Sequence, residues 1–141
     1  RLVGSEMCIR DRFQGHVAYT MAKYNMSLCV LGMAAEYKGQ IGVNALWPRT
    51  AIKTAAVKNV LGGDEMMKKS RDPQIMADAA HIILNKDKDK FSGNFVLDDS
   101  LLAEHGETDF SKYADYPFAE LIPDFFVPED AYPVPQVVKD S

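Results

Sequence analysis

The stretch "HVAYTMAKYNMSLCVLGMAAEYKGQIGVNALW", residues 16–47, predicts a long helix followed by a short strand. Small and apolar side chains recur in it at steps of three and four residues: Ala18, Ala22, Met26, Cys29 and Met33. Gly39 then supplies a helix stop. The apolar run 41–47 has the length of a strand and ends before Pro48, because proline cannot donate to a ladder. We therefore expect a helix to about Lys38 and a strand directly after it.

The same alternation continues along the chain. Residues 50–61 could form a short helix, and the charged residues 64–72 show no clear period. Pro73 opens a second amphipathic helix over 74–84, and residues 91–97 form a second apolar run of strand length. Helices alternating with apolar strands are typical of right-handed crossover units and a parallel sheet. The pattern predicts the α/β class.

Both ends of the chain differ from this middle part. Residues 1–12, "RLVGSEMCIRDR", carry three arginines and no clear period, and we interpret them as an adaptor or cloning remnant; the alternative is a frayed native terminus. Residues 13–105 form the predicted folded portion. Residues 106–141 are acidic and rich in proline, so we expect an extended tail or linker, laid on the body through Phe125 and Phe126.

Composition and charge make several functions poor candidates. The formal net charge is −4, and no basic stripe is visible, so we expect no nucleic-acid partner. No apolar run reaches the roughly 18–20 residues of a membrane-spanning helix. Cys8 and Cys29 form no CxxC pair, which favours a reducing, intracellular compartment, with Cys29 buried on the apolar side of the helix. The three histidines are too scattered to suggest a metal site.

Tyr19 and Lys23 are four residues apart in the predicted helix, so they would lie side by side on one face. An ammonium group beside a phenol stabilises the phenolate and eases proton transfer to or from a hydroxyl or carbonyl group. Chance alone gives about half a tyrosine-x-x-x-lysine match in a chain of this composition. The spacing therefore leaves open a second interpretation, an exposed pair that stabilises the helix by a few tenths of a kcal/mol.

The segment "NALWPRTAIKT", residues 44–54, adds further positions in register. Together with the tyrosine-lysine helix, it resembles the short-chain dehydrogenase/reductase family. That family's pattern has an asparagine in the strand, Pro-Gly at its end and a threonine a few residues later. The resemblance extends over about residues 14–127. One position departs from it, because Arg49 stands where most members have glycine.

The resemblance implies the C-terminal portion of a Rossmann-like, doubly wound parallel sheet, truncated in this chain. It also implies roles for five residues. Tyr19 would be the catalytic acid/base, and Lys23 would bind the nicotinamide ribose and favour the phenolate. Pro48 and Ile52 would line the nicotinamide, while Thr54 would bond its amide or the diphosphate. The cofactor would be NADP or NAD, which the sequence does not distinguish.

Two parts of the family's machinery have no counterpart that we can assign. The sequence contains no G-x-x-x-G-x-G turn for the cofactor phosphates, and Ser5 has the wrong neighbours to be the family's serine. We therefore expect the 141 residues alone to be inactive. Residues 55–72 would be the substrate loop, in which Met66 and Met67 would suit an apolar, lipid-like molecule.

Two classes of function follow from these observations. The first is an oxidoreductase that transfers a hydride between a nicotinamide cofactor and a hydroxyl/carbonyl substrate. The alternative is a non-catalytic binding or dimerisation scaffold that lacks the nucleotide-binding half. Under either, the resemblance implies a homo-oligomer through the Tyr19 helix. A location in the peroxisome or mitochondrion is implied by the resemblance alone.

Overall fold

The computed structural model describes residues 15–61, 63–128 and 132–141. The first helix, α1, runs over Val17–Glu36, and the turn after it contains Gly39 at φ +78°. A left-handed backbone of this kind favours glycine, which explains why the helix stops here. Helix and stop are both confirmed. The segment interpreted as an adaptor remnant, residues 1–12, lies outside the described residues.

The exposure of α1 differs from the prediction. Thr20 is its buried residue, whereas seven large apolar side chains are exposed: Val17, Tyr19, Met21, Met26, Leu28, Leu31 and Met33. Cys29 is also exposed, so its predicted burial is wrong. An apolar stripe indicates that burial of that helix face is energetically favourable. It does not show that nearby parts of the same chain supply the cover.

Two strands, β1 (Ala45–Trp47) and β2 (Phe95–Leu97), form a small parallel sheet. Each is shorter than the predicted run. The residues before them bond less regularly, since the Val43 amide donates to Ser92 Oγ at 3.1 Å and the Gly93 amide to the Val43 carbonyl at 2.7 Å. Side-chain partners thus replace part of a regular ladder. The predicted α/β class is confirmed.

The middle of the chain is mainly helical. A π-helical turn covers Val57–Leu61, and α2 follows at Gly63–Lys68, where no period was visible in the sequence. The predicted second helix is α3, Gln74–Leu84, directly after Pro73. Residues 50–53 are not helical, because the backbone of Thr50 and Ile52 forms β-bridges. The short helix predicted from residue 50 is therefore wrong in its first part.

The segment after β2 packs against α3. Helix α4 covers Asp98–Glu104, short 3₁₀ turns follow at Ser111–Tyr113 and Phe118–Glu120, and α5 covers Gln136–Lys139. One buried apolar cluster joins these elements: Ile75, Ala79, Leu101, Leu102, Phe110, Tyr113 and Val138. The expectation of an extended tail needs correction, because apolar side chains within 106–141 belong to this cluster.

The chain divides into two compact units. The first contains α1 with residues 86–95 and the described part of 125–132. The second contains the described residues of 46–85 together with 96–124 and 133–141. Among the helices described, including the 20-residue α1, none combines the length and the hydropathy needed to cross a bilayer.

Candidate active site

Tyr19 and Lys23 lie side by side near the start of α1, as their spacing predicts. The Lys23 ammonium nitrogen is 5.5 Å from the centroid of the Tyr19 ring, within the range of a cation–π contact. Tyr19 is 52% exposed and Lys23 is half-buried. The pair therefore combines a phenol accessible from solvent with a nearby cation.

A small aromatic cluster surrounds the Tyr19 ring within the first unit. The ring stacks on Phe126 with a centroid distance of 5.7 Å and an interplanar angle of 23°. Tyr24 meets the same phenylalanine edge-on at 5.6 Å, and Phe125 meets it at 4.9 Å. His16 contacts Phe125 at 5.4 Å. Offset and edge-on pairs of this kind restrict ring orientation, so Phe126 limits how the Tyr19 phenol can turn.

Pro48, Ile52 and Thr54 lie along one segment of the second unit. Pro48 follows β1 directly and is half-buried, as is Ile52, whereas Thr54 is exposed. The Thr54 hydroxyl accepts a hydrogen bond from the Val57 amide at 3.3 Å, which helps to start the helical turn. The hydroxyl can still donate its own proton. These residues and the tyrosine pair belong to different units, and the roles of both sets stay predictions.

Asn44, the strand asparagine of the resemblance, makes three side-chain hydrogen bonds within the first unit. Its side-chain amide donates to the Phe91 carbonyl at 3.0 Å, and its oxygen accepts from the Asn94 amide at 3.1 Å and from its side chain at 2.9 Å. Asn44 therefore ties together the backbone that leads into the two strands.

The sequence reasoning missed a buried cluster of four charged residues in the second unit. Arg49, Arg71, Asp98 and Asp99 are each at most 5% exposed. Arg49 Nε lies 2.8 and 2.9 Å from the two carboxylate oxygens of Asp99, and Arg71 Nη1 lies 2.9 Å from one of them. The Arg49 amide donates to Asp98 Oδ1 at 3.0 Å. The signal available in the sequence was the Asp-Asp pair placed directly after an apolar strand.

Burial governs the electrostatics of this cluster. Loss of solvation, reinforced by the neighbouring Asp99 carboxylate, raises the pKa of Asp98 to about 6. Arg71 and two backbone amides act in the opposite direction. The Arg71 guanidinium also lies over the rings of Phe110 and Phe118, at 5.9 and 5.4 Å. Among the described residues, Asp98 Oδ2 and two nitrogens of Arg71 have no hydrogen-bond partner.

Within the ranges that the structure describes, no group of three or more His, Cys, Asp or Glu side chains is arranged to hold a metal ion. The polar groups of the predicted site residues are a phenol, an ammonium group and a hydroxyl. Such groups exchange protons and bind sugar hydroxyls and amides.

Comparison with known proteins gives relatives of one kind. The chain is 57% identical over 117 residues to hydroxysteroid dehydrogenase-like protein 2 of Xenopus laevis, covering 83% of this chain and 28% of that protein. It is 53% identical over 121 residues to the protein of that name from Homo sapiens, covering 86% and 28%. The chain thus spans little more than a quarter of the curated relatives that it matches. No family model matches it.

Solved structures agree with this similarity. A short-chain dehydrogenase from Mycobacterium thermoresistibile is 50% identical, with a TM-score of 0.67, and the match covers 78% of this chain and 39% of that one. A protein of known structure from Xanthomonas campestris is 46% identical, with a TM-score of 0.75 over 84% of this chain and 43% of the other. At these identities, sequence and structure point to the same fold.

Proposed function

We propose that this chain, which over most of its length is homologous to short-chain dehydrogenases, carries the proton-transfer pair of an oxidoreductase. The reaction moves a hydride between a nicotinamide cofactor and a hydroxyl/carbonyl substrate. The observation that carries the proposal is the placement of the Lys23 ammonium 5.5 Å from the Tyr19 ring on one face of α1. The exposed phenol exchanges a proton with the substrate oxygen, and the cation favours its phenolate.

Residues of each unit are chemically suited to the nicotinamide-ribose end of NADP or NAD. Lys23 supplies an ammonium group for ribose hydroxyls, Thr54 a hydroxyl for an amide or phosphate oxygen, and Pro48 and Ile52 half-buried apolar surface for a flat ring. When bound, the cofactor supplies or accepts the hydride. The sequence carries no glycine-rich turn for the phosphates, and for that reason we propose that these 141 residues alone do not turn over substrate.

We also propose, from the loop at 55–72, that the substrate is apolar and lipid-like. Met66 and Met67 on α2 are half-buried, so part of each flexible thioether side chain remains accessible. Methionine adapts its shape to irregular apolar surfaces, which suits alkyl chains. Location in the peroxisome or mitochondrion is proposed from the family resemblance, and fractionation of cells that express the complete reading frame would test it.

The decisive experiment uses protein expressed from the complete reading frame. Turnover is followed by nicotinamide absorbance with 2-decanol or 2-decanone as an apolar probe and with NADP(H) and NAD(H) in turn. We expect Tyr19→Phe to lower kcat at least about 100-fold, because the proton donor is lost while the ring that stacks on Phe126 remains.

The matched control is Tyr24→Phe, which removes a hydroxyl from the same helix and retains the edge-on contact with Phe126. This control should stay within about twofold of the unmodified enzyme, since no role in proton transfer is assigned to it. Equal losses in the two variants, or full activity of Tyr19→Phe, would contradict the assignment of Tyr19.

The exposed apolar side chains of α1 favour a second candidate, a scaffold that binds another copy of the chain without catalysing a reaction. Leu28 and Leu31 are 58% and 50% exposed, which is unusual for leucines one turn apart on a helix. Light scattering of the complete protein and of Leu28→Glu distinguishes the outcomes. Dimer dissociation by Leu28→Glu, together with an unmodified protein that binds neither nicotinamide cofactor, would favour the scaffold.

A further inference from the structure

The carboxylate of Asp99 joins two segments of the second unit that are far apart in sequence. Its oxygens accept hydrogen bonds from Arg49, in the segment after β1, and from Arg71, at the end of the loop at 55–72. Ser100, the next residue on α4, accepts a further bond from Arg49 Nη2 at 2.7 Å. Arg49, Arg71 and Asp99 are each at most 5% exposed, so water competes little for the bonds between them.

We propose that Asp99 is a positioning residue: its carboxylate fixes the predicted cofactor-binding segment, residues 48–54, against the base of the loop at 55–72. The inference rests on the proposed function, because it assumes that Pro48, Ile52 and Thr54 face the nicotinamide. Asp99 itself touches no reacting atom in this account. It acts through Arg49.

Backbone hydrogen bonds already hold the far part of this segment. The Ala51 amide donates to the Ile122 carbonyl at 2.8 Å, the Lys53 amide to the Arg71 carbonyl at 2.8 Å, and the Arg71 amide to the Ala51 carbonyl at 2.9 Å. These contacts set the direction of residues 51–53 from both sides. A further backbone bond, from the Asp124 amide to the Arg49 carbonyl at 2.8 Å, holds the C-terminal side of Arg49. The amide and the side chain of Arg49 are held differently.

Helix α4 holds the rest of Arg49, through both its amide and its side chain. Its amide donates to Asp98 Oδ1 at 3.0 Å, while its guanidinium meets both oxygens of Asp99. Arg49 Nε donates to Asp99 and Nη2 donates to Ser100, so two bonds fix the plane of the guanidinium as well as its distance from α4. A planar peptide bond joins Pro48 to this doubly held residue, and the proline ring fixes the φ angle of Pro48 itself. Through Arg49, Asp99 therefore helps to fix the position of Pro48.

A buried ion cluster is weak support for stability, since desolvation offsets much of the attraction. The cluster contributes directional bonds, which fix the orientation of Arg49 in a way that an apolar contact would not. With glycine at position 49, as in most members of the family that the sequence resembles, Asp99 would retain Arg71 and lose its hold on the segment. The arginine therefore adds a constraint that glycine cannot supply.

The test measures cofactor affinity and thermal stability separately, in protein expressed from the complete reading frame. For Arg49→Gly we expect the Kd for NADPH or NADH, from nicotinamide fluorescence, to rise about tenfold, because displaced binding groups lose orientation. Arg49→Lys keeps the charge without the planar guanidinium that bonds both Asp99 and Ser100, and it should recover part of the affinity. Asp99→Asn should weaken binding alone but add less than about twofold in the Arg49→Gly background.

The control is Asp115→Asn, which removes an exposed partner of Lys53 in the same segment. It should leave the Kd within about twofold, since exposed pairs contribute little. Should Arg49→Gly not accumulate, the Arg49→Lys comparison decides alone. Unchanged Kd values with a lowered Tm would overturn the positioning role and leave the proposed function intact. An unmodified protein that binds neither cofactor would overturn both.

Discussion

Replacement of Asp98 by asparagine should make the protein more stable at neutral pH, and the structure gives the magnitude. The pKa of Asp98 is raised from 3.8 to about 6, chiefly by burial. The unfolded chain therefore loses this proton at lower pH than the folded protein does. Ionisation thus favours unfolding, and the stability present below pH 3.8 is lost as the pH rises to about 6 and beyond. A shift of about 2 pKa units corresponds to about 3 kcal/mol.

Asparagine suits this site because its oxygen can accept the same two backbone amides, from Arg49 and Asp99. Its NH₂ group would replace the Asp98 oxygen that has no hydrogen-bond partner. The substitution should therefore remove the cost of ionisation without opening a cavity. We expect the gain of Asp98→Asn over the unmodified protein to grow by about 2 kcal/mol between about pH 4.5 and pH 7.5.

The assay is urea denaturation of both proteins, expressed from the complete reading frame, at several pH values across that window. The informative quantity is the difference between the two free energies of unfolding, because pH effects of all other groups cancel in it. A difference that stays constant from acid to neutral pH would show that Asp98 is already ionised without cost. A destabilised variant at every pH would show that the NH₂ group finds no acceptor.

Three further substitutions test the packing of the second unit by thermal or urea denaturation. Phe110→Ala should cost about 3–5 kcal/mol if residue 110 is in the core, as its 1% exposure indicates, and almost nothing if it lies in a solvated tail. Tyr113→Phe should cost about 1 kcal/mol, because its hydroxyl donates to Asp78 Oδ2 at 2.7 Å; an unchanged midpoint would argue against that bond. Glu65→Gln, which breaks an exposed pair with Lys68, should leave the unfolding midpoint unchanged, and a clear loss of stability would contradict the exposure of that pair.

Features that depend on neighbours in sequence were predicted well. Helix α1 ends where Gly39 adopts a positive φ, and α3 begins directly after Pro73. The tyrosine and lysine of α1 are adjacent because helix geometry alone brings i and i+4 together. The two strands were placed correctly but predicted too long, since the interactions of Val43 and Ser92 that shorten them lie 49 residues apart in sequence.

Features that depend on distant partners could not be read from the chain. Arg49 and Asp99 are 50 residues apart, and nothing local to either indicates that they meet. The proline content of 106–141 indicated an open tail, yet Phe110 and Tyr113, at a 3₁₀ turn that precedes the first of these prolines, lie in the core. Composition reports which conformations a segment disfavours. It does not report which apolar side chains another element will bury.

The two sets of predicted site residues are held in place by different forces. Tyr19 is placed by an aromatic stack with Phe126, on a helix whose large apolar side chains are mostly exposed. The segment containing Pro48 and Ile52 is placed by backbone bridges and a buried ion cluster. Stacking tolerates small displacements, whereas a planar guanidinium bonded to both Asp99 and Ser100 is held in one orientation. Substitutions at Arg49 should therefore act on cofactor affinity and those at Tyr19 on turnover, each within its own unit.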